Sequence, residues 1–232
     1  MVGKELWDKL LVIQSNKIFT LLESKIEDGQ LVDNFVEYKE YLNEDLWLKL
    51  KKVQTNKIFS FLESKIEDGE LLDQFCSYKF VIGDHLWSKL EKMQSHRIFN
   101  ILESKIEDGE LLENHLSNKK ILSEIQWKQL EMKESNKMFS FLEMKIDDGE
   151  SLENYSNYKK FLSDSQWQRL QHFQSKRLFS FIASKIEDGD SLDSFDRHKS
   201  LFSLDDWNKL KSIESKRVFS YVKSQIEDPT NK

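Results

Sequence analysis

Tryptophan returns every 40 residues, at Trp7, Trp47, Trp87, Trp127, Trp167 and Trp207, with no insertion between copies. A period of that length, held along the whole chain, is the mark of a tandem-repeat architecture. Other columns keep the same register. Leu10 returns as Leu50 and onward to Leu210, and Phe19 returns as Phe59 and onward to Phe219. Ile26 and Asp28 behave likewise, ending at Ile226 and Asp228. Glycine follows the aspartate at 29, 69, 109, 149 and 189, which accounts for five of the seven glycines in the chain. The repeats therefore run approximately over 3–42, 43–82, 83–122, 123–162, 163–202 and 203–232, and residues 1–232 read as a single repeat domain.

Each repeat carries the start and stop signals of a long helix. Asn43, Gly83, Ser123, Ser163 and Ser203 share one column, and such small or polar residues suit the orphan N–H groups of a helix start. Ser123 with Gln126, and Ser163 with Gln166, have the spacing of capping boxes. In the second repeat no Gly or Pro interrupts the chain up to Asp68, and Gly69 supplies the left-handed residue that ends a helix. This predicts a helix A of about 24 residues, or about 36 Å at 1.5 Å per residue. A shorter helix B is expected over Glu70 to Ile82, its acidic first turn (Glu70, Asp73) facing the positive end of the helix dipole.

At 100° per residue, Trp47, Leu50, Val53, Ile58, Phe61 and Leu62 share one broad face of helix A, widened by Phe59 and Ile66. Helix B offers Leu71, Leu72, Phe75, Tyr78, Val81 and Ile82. Helices apolar over that much of their girth need partners on two sides, which stacked αα units provide. The expected fold is all-α: a superhelical α-solenoid of six 40-residue αα repeats, long helix A and short helix B. Truncating a central anchor, as in Trp127→Ala, is then expected to cost about 3–5 kcal/mol. The chain reads as starting within helix A of the first repeat and stopping after helix A of the sixth.

The two terminal repeats depart from the pattern in opposite ways. Lys223, Gln225 and Pro229 make the last one more polar, as a terminal repeat exposed to water is expected to be. Leu11 and Val12 stand where other repeats carry Lys51, Lys52, Glu91 and Lys92, and Val36 joins Phe35, Tyr38 and Tyr41. The period lies near that of HEAT repeats and above those of tetratricopeptide and Pumilio repeats. The tryptophan column, the SKIEDGE turn and the unequal helices match none of their signatures.

A net charge of −6, with 38% hydrophobic and 33% charged residues, describes a soluble chain able to bury a core. No apolar run reaches the length of a membrane span. Met1 to Leu6 carry no long apolar region, so no signal peptide is read there. The single cysteine, Cys76, excludes an internal disulfide framework and a cysteine-based zinc site. It fits a reducing, intracellular location, as a cysteine-poor secreted protein also would. The acidity speaks against a dedicated nucleic-acid or anionic-membrane binder.

The columns richest in polar chemistry lie in the middle of helix A: Gln14-Ser15-Asn16-Lys17, then QTNK from 54, QSHR from 94, ESNK from 134, QSKR from 174 and ESKR from 214. On the wheel Gln54 falls within the apolar face, and a buried amide must find partners. Six stacked Gln/Glu side chains suggest a polar ladder that fixes the register between repeats. The alternative is a binding column of one polar set per repeat, in the manner of repeats that read one RNA base each. Its residues would be Asn16 and Lys17, Asn56 and Lys57, His96 and Arg97, Asn136 and Lys137, Lys176 and Arg177, and Lys216 and Arg217. Two lysine columns, Lys25 to Lys185 and Lys39 to Lys199, are expected to pair with neighbouring Glu-Asp turns such as Glu67-Asp68, although aligned lysines can also bind phosphates.

Catalysis finds no foothold. The five histidines (85, 96, 115, 172, 198) occupy five different columns, so no metal site repeats. There is no HExxH, no glycine-rich phosphate loop and no GxSxG. Read as a calcium loop centred on Gly69, the turn would put Ser64, Ile66 and Phe75 at ligand positions, and Ile66 and Phe75 offer no side-chain oxygen. The expectation is a protein without cofactor or enzymatic activity, a helical-repeat scaffold for a protein or peptide partner. The alternative is modular single-stranded RNA or other nucleic-acid binding through the Gln-Ser-Asn-Lys columns. A third and weaker reading, a small apolar ligand held in the aromatic core, rests on the 16 phenylalanines alone. Leu11, Val12 and Val36 mark a candidate N-terminal contact patch, for a partner or for self-association.

Overall fold

Six long helices carry the tryptophan columns: α1 (Lys4–Glu27), α2 (Glu44–Glu67), α3 (Lys79–Glu107), α4 (Glu124–Asp147), α5 (Asp164–Asp188) and α6 (Leu204–Glu227). Between them lie 3₁₀ helices η1 (Val32–Tyr41), η2 (Leu72–Tyr78), η3 (Leu112–Lys120), η4 (Leu152–Phe161) and η5 (Leu192–Leu201). The computed structural model describes residues 3–227, and within them the protein is all-helical, its helices packing in tandem. The departure noted at Pro229, and the Asp228 that ends its column, lie outside the described residues. No helix among the described residues is long and apolar enough to cross a membrane.

The start and stop chemistry of helix A is in place. Asn43 accepts from Leu46 N–H at 2.8 Å, and Ser163 with Gln166 closes a capping box in both directions. Ser123 and Gln126 make the same reciprocal pair. Gly69 adopts φ 97°, a conformation that penalises any residue with a Cβ, and its N–H bonds Ile66 C=O. Gly83 breaks α3 with φ 78°, so that the long helix of the third repeat starts after it, at the capping column.

Helix B differs from the sequence expectation. It is a 3₁₀ segment rather than an α-helix, and in the second repeat it begins at Leu72, not Glu70. The aromatic or histidine column interrupts η1 to η4: Phe35, Phe75, His115 and Tyr155 all sit near φ −120°, ψ 20°. Long 3₁₀ runs are unfavourable, and this break divides each segment into short turns. Glu70 therefore lies before the helix, where it pairs with Lys65 at 2.8 Å instead of capping a dipole.

The chain divides into two compact blocks, residues Met1–Leu102 with His115–Trp127, and residues Glu103–Asn114 with Lys128–Lys232. In the first block, Leu22, Ile26 and Val32 pack on Trp47 and Leu50, and Leu62, Ile66 and Leu72 pack on Trp87 and Leu90. In the second block, Leu142, Ile146 and Leu152 pack on Trp167 and Leu170, and Ile182, Ile186 and Leu192 pack on Trp207 and Leu210. Each joint has one design. The C-terminal half of a long helix and the first residue of the following 3₁₀ segment receive the N-terminal half of the next long helix. Trp127 is buried as well. Trp7 is the exception to its column, at 57% exposure, and among the described residues no long helix receives that half of α1.

Candidate binding surface

The mid-helix polar columns divide by position. The first residue is buried in four repeats, at Gln54, Gln94, Glu134 and Gln174, while Gln14 is exposed and Glu214 half-buried. Three of these side chains bond to backbone. Gln54 Oε1 accepts the N–H of Val32, Glu134 Oε1 that of Leu112 at 2.8 Å, and Glu214 Oε1 that of Leu192 at 2.8 Å. Each acceptor thus satisfies the first N–H of the 3₁₀ helix 22 residues earlier, one of the orphan donors at any helix start. The bonds run from side chain to backbone, where the ladder expectation had Gln/Glu side chains stacked on one another. Where a serine precedes that N–H it joins in: Gln174 Nε2 donates to Ser151 Oγ at 3.3 Å, and Ser191 Oγ to Glu214 at 3.3 Å. Leu71 occupies that place before η2, and there Gln94 Nε2 is left buried without a partner.

Burial raises the Glu134 carboxyl above the usual carboxylate range, against the opposing pull of the Leu112 N–H. The folded state therefore favours the protonated acid. The stability that protonation confers is fully present below the ordinary glutamate pKa and is lost as pH rises through the raised one. Glu134→Gln is accordingly expected to raise the melting temperature at pH 7. The gain is modest, below about 1 kcal/mol, because the carboxyl is only partly desolvated and the new amide N–H₂ faces Leu111 rather than a serine. Melting curves from pH 7 down to pH 4 test this. An advantage that does not shrink with falling pH rules out ionisation of Glu134 as its cause.

At Arg97 and Lys137 the fourth residue of the column caps the long helix before it. Arg97 donates to Glu67 C=O at 2.8 Å and Lys137 to Glu107 C=O at 2.5 Å, and Arg177 Nε lies 3.5 Å from Asp147. A cation at a helix C-terminus meets both the last carbonyls and the negative end of the dipole. The third residue points elsewhere: Asn16, Asn56, His96, Asn136, Lys176 and Lys216 are all exposed. In the fourth position Lys17 and Lys57 are exposed, and Arg217 is half-buried with its guanidinium 3.4 Å from the Cβ position of Gly189.

The lysine columns are engaged as well. Lys65, Lys105 and Lys145 pair with Glu70, Glu110 and Glu150 across the glycine turn, at 2.8, 2.8 and 2.9 Å. Their partner is the acid after the glycine, two residues beyond the Glu-Asp pair expected. Lys79, Lys119 and Lys199 lie over the Trp87, Trp127 and Trp207 rings at 5.9, 5.2 and 6.0 Å, within cation–π range.

A feature that the helical wheel placed in the core is half open to solvent. Phe61 is 40% exposed and meets Phe75 and Tyr78 edge-on, with centroids 5.9 and 6.1 Å away. Phe141 repeats the arrangement with Tyr155 and Tyr158, and Phe181 with Phe195. Lys65 and Lys145 cover the Phe61 and Phe141 rings at 5.6 and 5.8 Å. Tyr155 donates to Glu150, and that hydrogen bond is the main cause of a raised tyrosine pKa and a lowered carboxyl pKa. Beside the Phe61 cluster lies a hollow of about 350 Å³ lined by Gly29, Leu31, Gln54, Lys57, Phe61 and Tyr78, among others. Leu11, Val12 and Val36 are exposed, together with Leu6, Leu10, Ile13 and Leu21 on α1.

Among the described residues no group of three His, Cys, Asp or Glu side chains is placed to hold a metal ion. In comparisons with known proteins, no family model, curated protein or solved structure matches this chain.

Proposed function

We propose that the chain is one α-solenoid of six 40-residue repeats, and that it serves as a non-catalytic scaffold which binds a peptide or protein segment. The observation that carries the reading is the hollow beside Phe61. It joins half-exposed Phe61 and Tyr78 rings to Leu31, with the exposed ammonium of Lys57 at its edge. Concave apolar pockets with a few convergent polar groups are the usual form of binding sites, and exposed aromatic rings are the usual anchors of interfaces. The occupant that fits is a segment offering a large apolar side chain next to a carboxylate. The aromatic clusters at Phe141 and Phe181 extend the same chemistry to later repeats.

The runner-up is single-stranded nucleic acid, which such columns could grip by stacking on aromatic rings between cations. Lys57, Phe61 and Lys65 do alternate at helical spacing. Against it stands the use of these cations: Lys65 is held by Glu70, and Arg97, Lys137 and Arg177 by the preceding turns. A net charge of −6 adds to that.

Panning a displayed random-peptide library on the intact chain separates the two. Acidic-aromatic peptides are expected to enrich on the wild type and to lose at least about ten-fold in affinity on Phe61→Lys, the loss of one buried aromatic anchor. Failure to enrich any peptide, coupled with salt-sensitive binding of a labelled oligo-uridine, would replace this reading with the nucleic-acid one.

A further inference from the structure

The bare apolar faces of α1 and α6 are the two halves of a joint that the chain already builds internally. At each internal joint of the two blocks, the first half of a long helix presents Trp and Leu, and the second half of the preceding long helix receives them. On α1 the presenting half is uncovered: Trp7 and Leu10 are 57% and 51% exposed, against 5% and 0% for Trp47 and Leu50. On α6 the receiving half is uncovered: Val222 and Ile226 are 48% and 78% exposed, against 0% and 3% for Leu62 and Ile66. Exposed apolar surface in such contiguous stripes marks a contact site.

We infer that the chain self-associates head to tail, the α1 face of one copy seating on the α6 face of the next. This inference is independent of the peptide-binding reading, which concerns a different surface. Two features point to a second copy as the occupant. The faces are complementary by construction, because the same columns already pack together at Trp47 on Leu22 and at Trp207 on Ile182. Their charges match as well. Lys17 holds the column place of Arg97 and Lys137, which cap the carbonyls of Glu67 and Glu107, and α6 ends at the equivalent Glu227. A joint between unlike faces leaves one of each free on the resulting pair, so growth continues past the dimer until a ring closes.

Sedimentation of the intact chain with two variants tests this. Leu10→Asp removes the head and Val222→Asp removes the tail, both at exposed positions. Trp7→Lys and Phe219→Lys form a second pair against local misfolding, and circular dichroism checks that all four retain helicity. Wild type is expected to show a mass that climbs with concentration above the 27.7 kDa of one chain. Each variant alone is expected to remain at one chain, and an equimolar mixture of a head and a tail variant to reach two. A wild type that stays at one chain at the highest concentration overturns the inference. So does a Val222→Asp variant that still pairs with itself, the sign of a symmetric α1–α1 contact, and so does a mixture that fails to pair.

Discussion

Replacing Trp87 by alanine is expected to lower the unfolding free energy by about 3–5 kcal/mol, while the same change at Trp7 costs less than about 0.5 kcal/mol. The two residues occupy the same column two 40-residue periods apart, so residue type is matched, although Leu11 and Val12 stand where Glu91 and Lys92 follow Trp87. The larger difference is the joint. Trp87 is 4% exposed, packs with Leu62, Ile66 and Leu72, and donates its indole N–H to Glu91 at 2.9 Å. Removing the indole opens a cavity that helices on both sides hold apart, and it strips Lys79 of its ring. Urea unfolding at concentrations where the chain is a single copy measures both variants. Equal losses at the two sites would mean that the α1 face is covered. A loss at Trp7 that appears only on concentrating the protein is the thermodynamic counterpart of head-to-tail association, since binding to the folded state adds stability by mass action.

The long helices were legible because their signals are local and repeated. The caps at Asn43 and Ser163 and the left-handed Gly69 act on their own backbone within a few residues, and the 40-residue register shows each of them several times over. The short segment was not legible in the same way. Its apolar residues at Leu72, Phe75 and Tyr78 keep a helical spacing, yet Phe75 leaves helical geometry and the segment winds as 3₁₀. Nothing in the residue types of that column, Phe, Phe, His, Tyr and Phe, marks the break. Contacts between repeats were half legible. The wheel placed Gln54 inside, correctly, but its partner is a backbone N–H, which has no letter in the sequence. The wheel also placed Phe61 inside, because it treats the whole helix as having one core face. The buried stripe instead shifts along the helix, from Trp47 and Leu50 facing backward to Leu62 and Ile66 facing forward, and Phe61 falls outside it. The coincidence of aromatic residues at Phe61, Phe75 and Tyr78 with Phe141, Tyr155 and Tyr158 was the available signal for the exposed clusters.

Gln54→Leu carries the second large effect, an expected loss of about 1–3 kcal/mol from a substitution that preserves volume and adds apolar surface. By hydrophobic transfer alone leucine would stabilise this buried site. The opposing effect is the Val32 N–H, whose acceptor is the amide oxygen of Gln54, both residues being buried. An orphaned buried donor forfeits its full solvation, which outweighs the gain of a methyl-rich side chain. Gln14→Leu supplies the control, because Gln14 is exposed and lies in the column before any joint. Its effect is expected near zero in the single chain. Hydrogen exchange gives the sharper measurement: the Val32 amide of Gln54→Leu is expected to lose protection more than the amides of α1 on the far side of the joint. If Gln54→Leu proves as stable as wild type, the column is a packing position whose polarity is incidental, and register is set by the tryptophans alone. If the amide is freed and stability falls together, Gln54, Glu134 and Glu214 are what holds η1, η3 and η5 to the long helix that follows each.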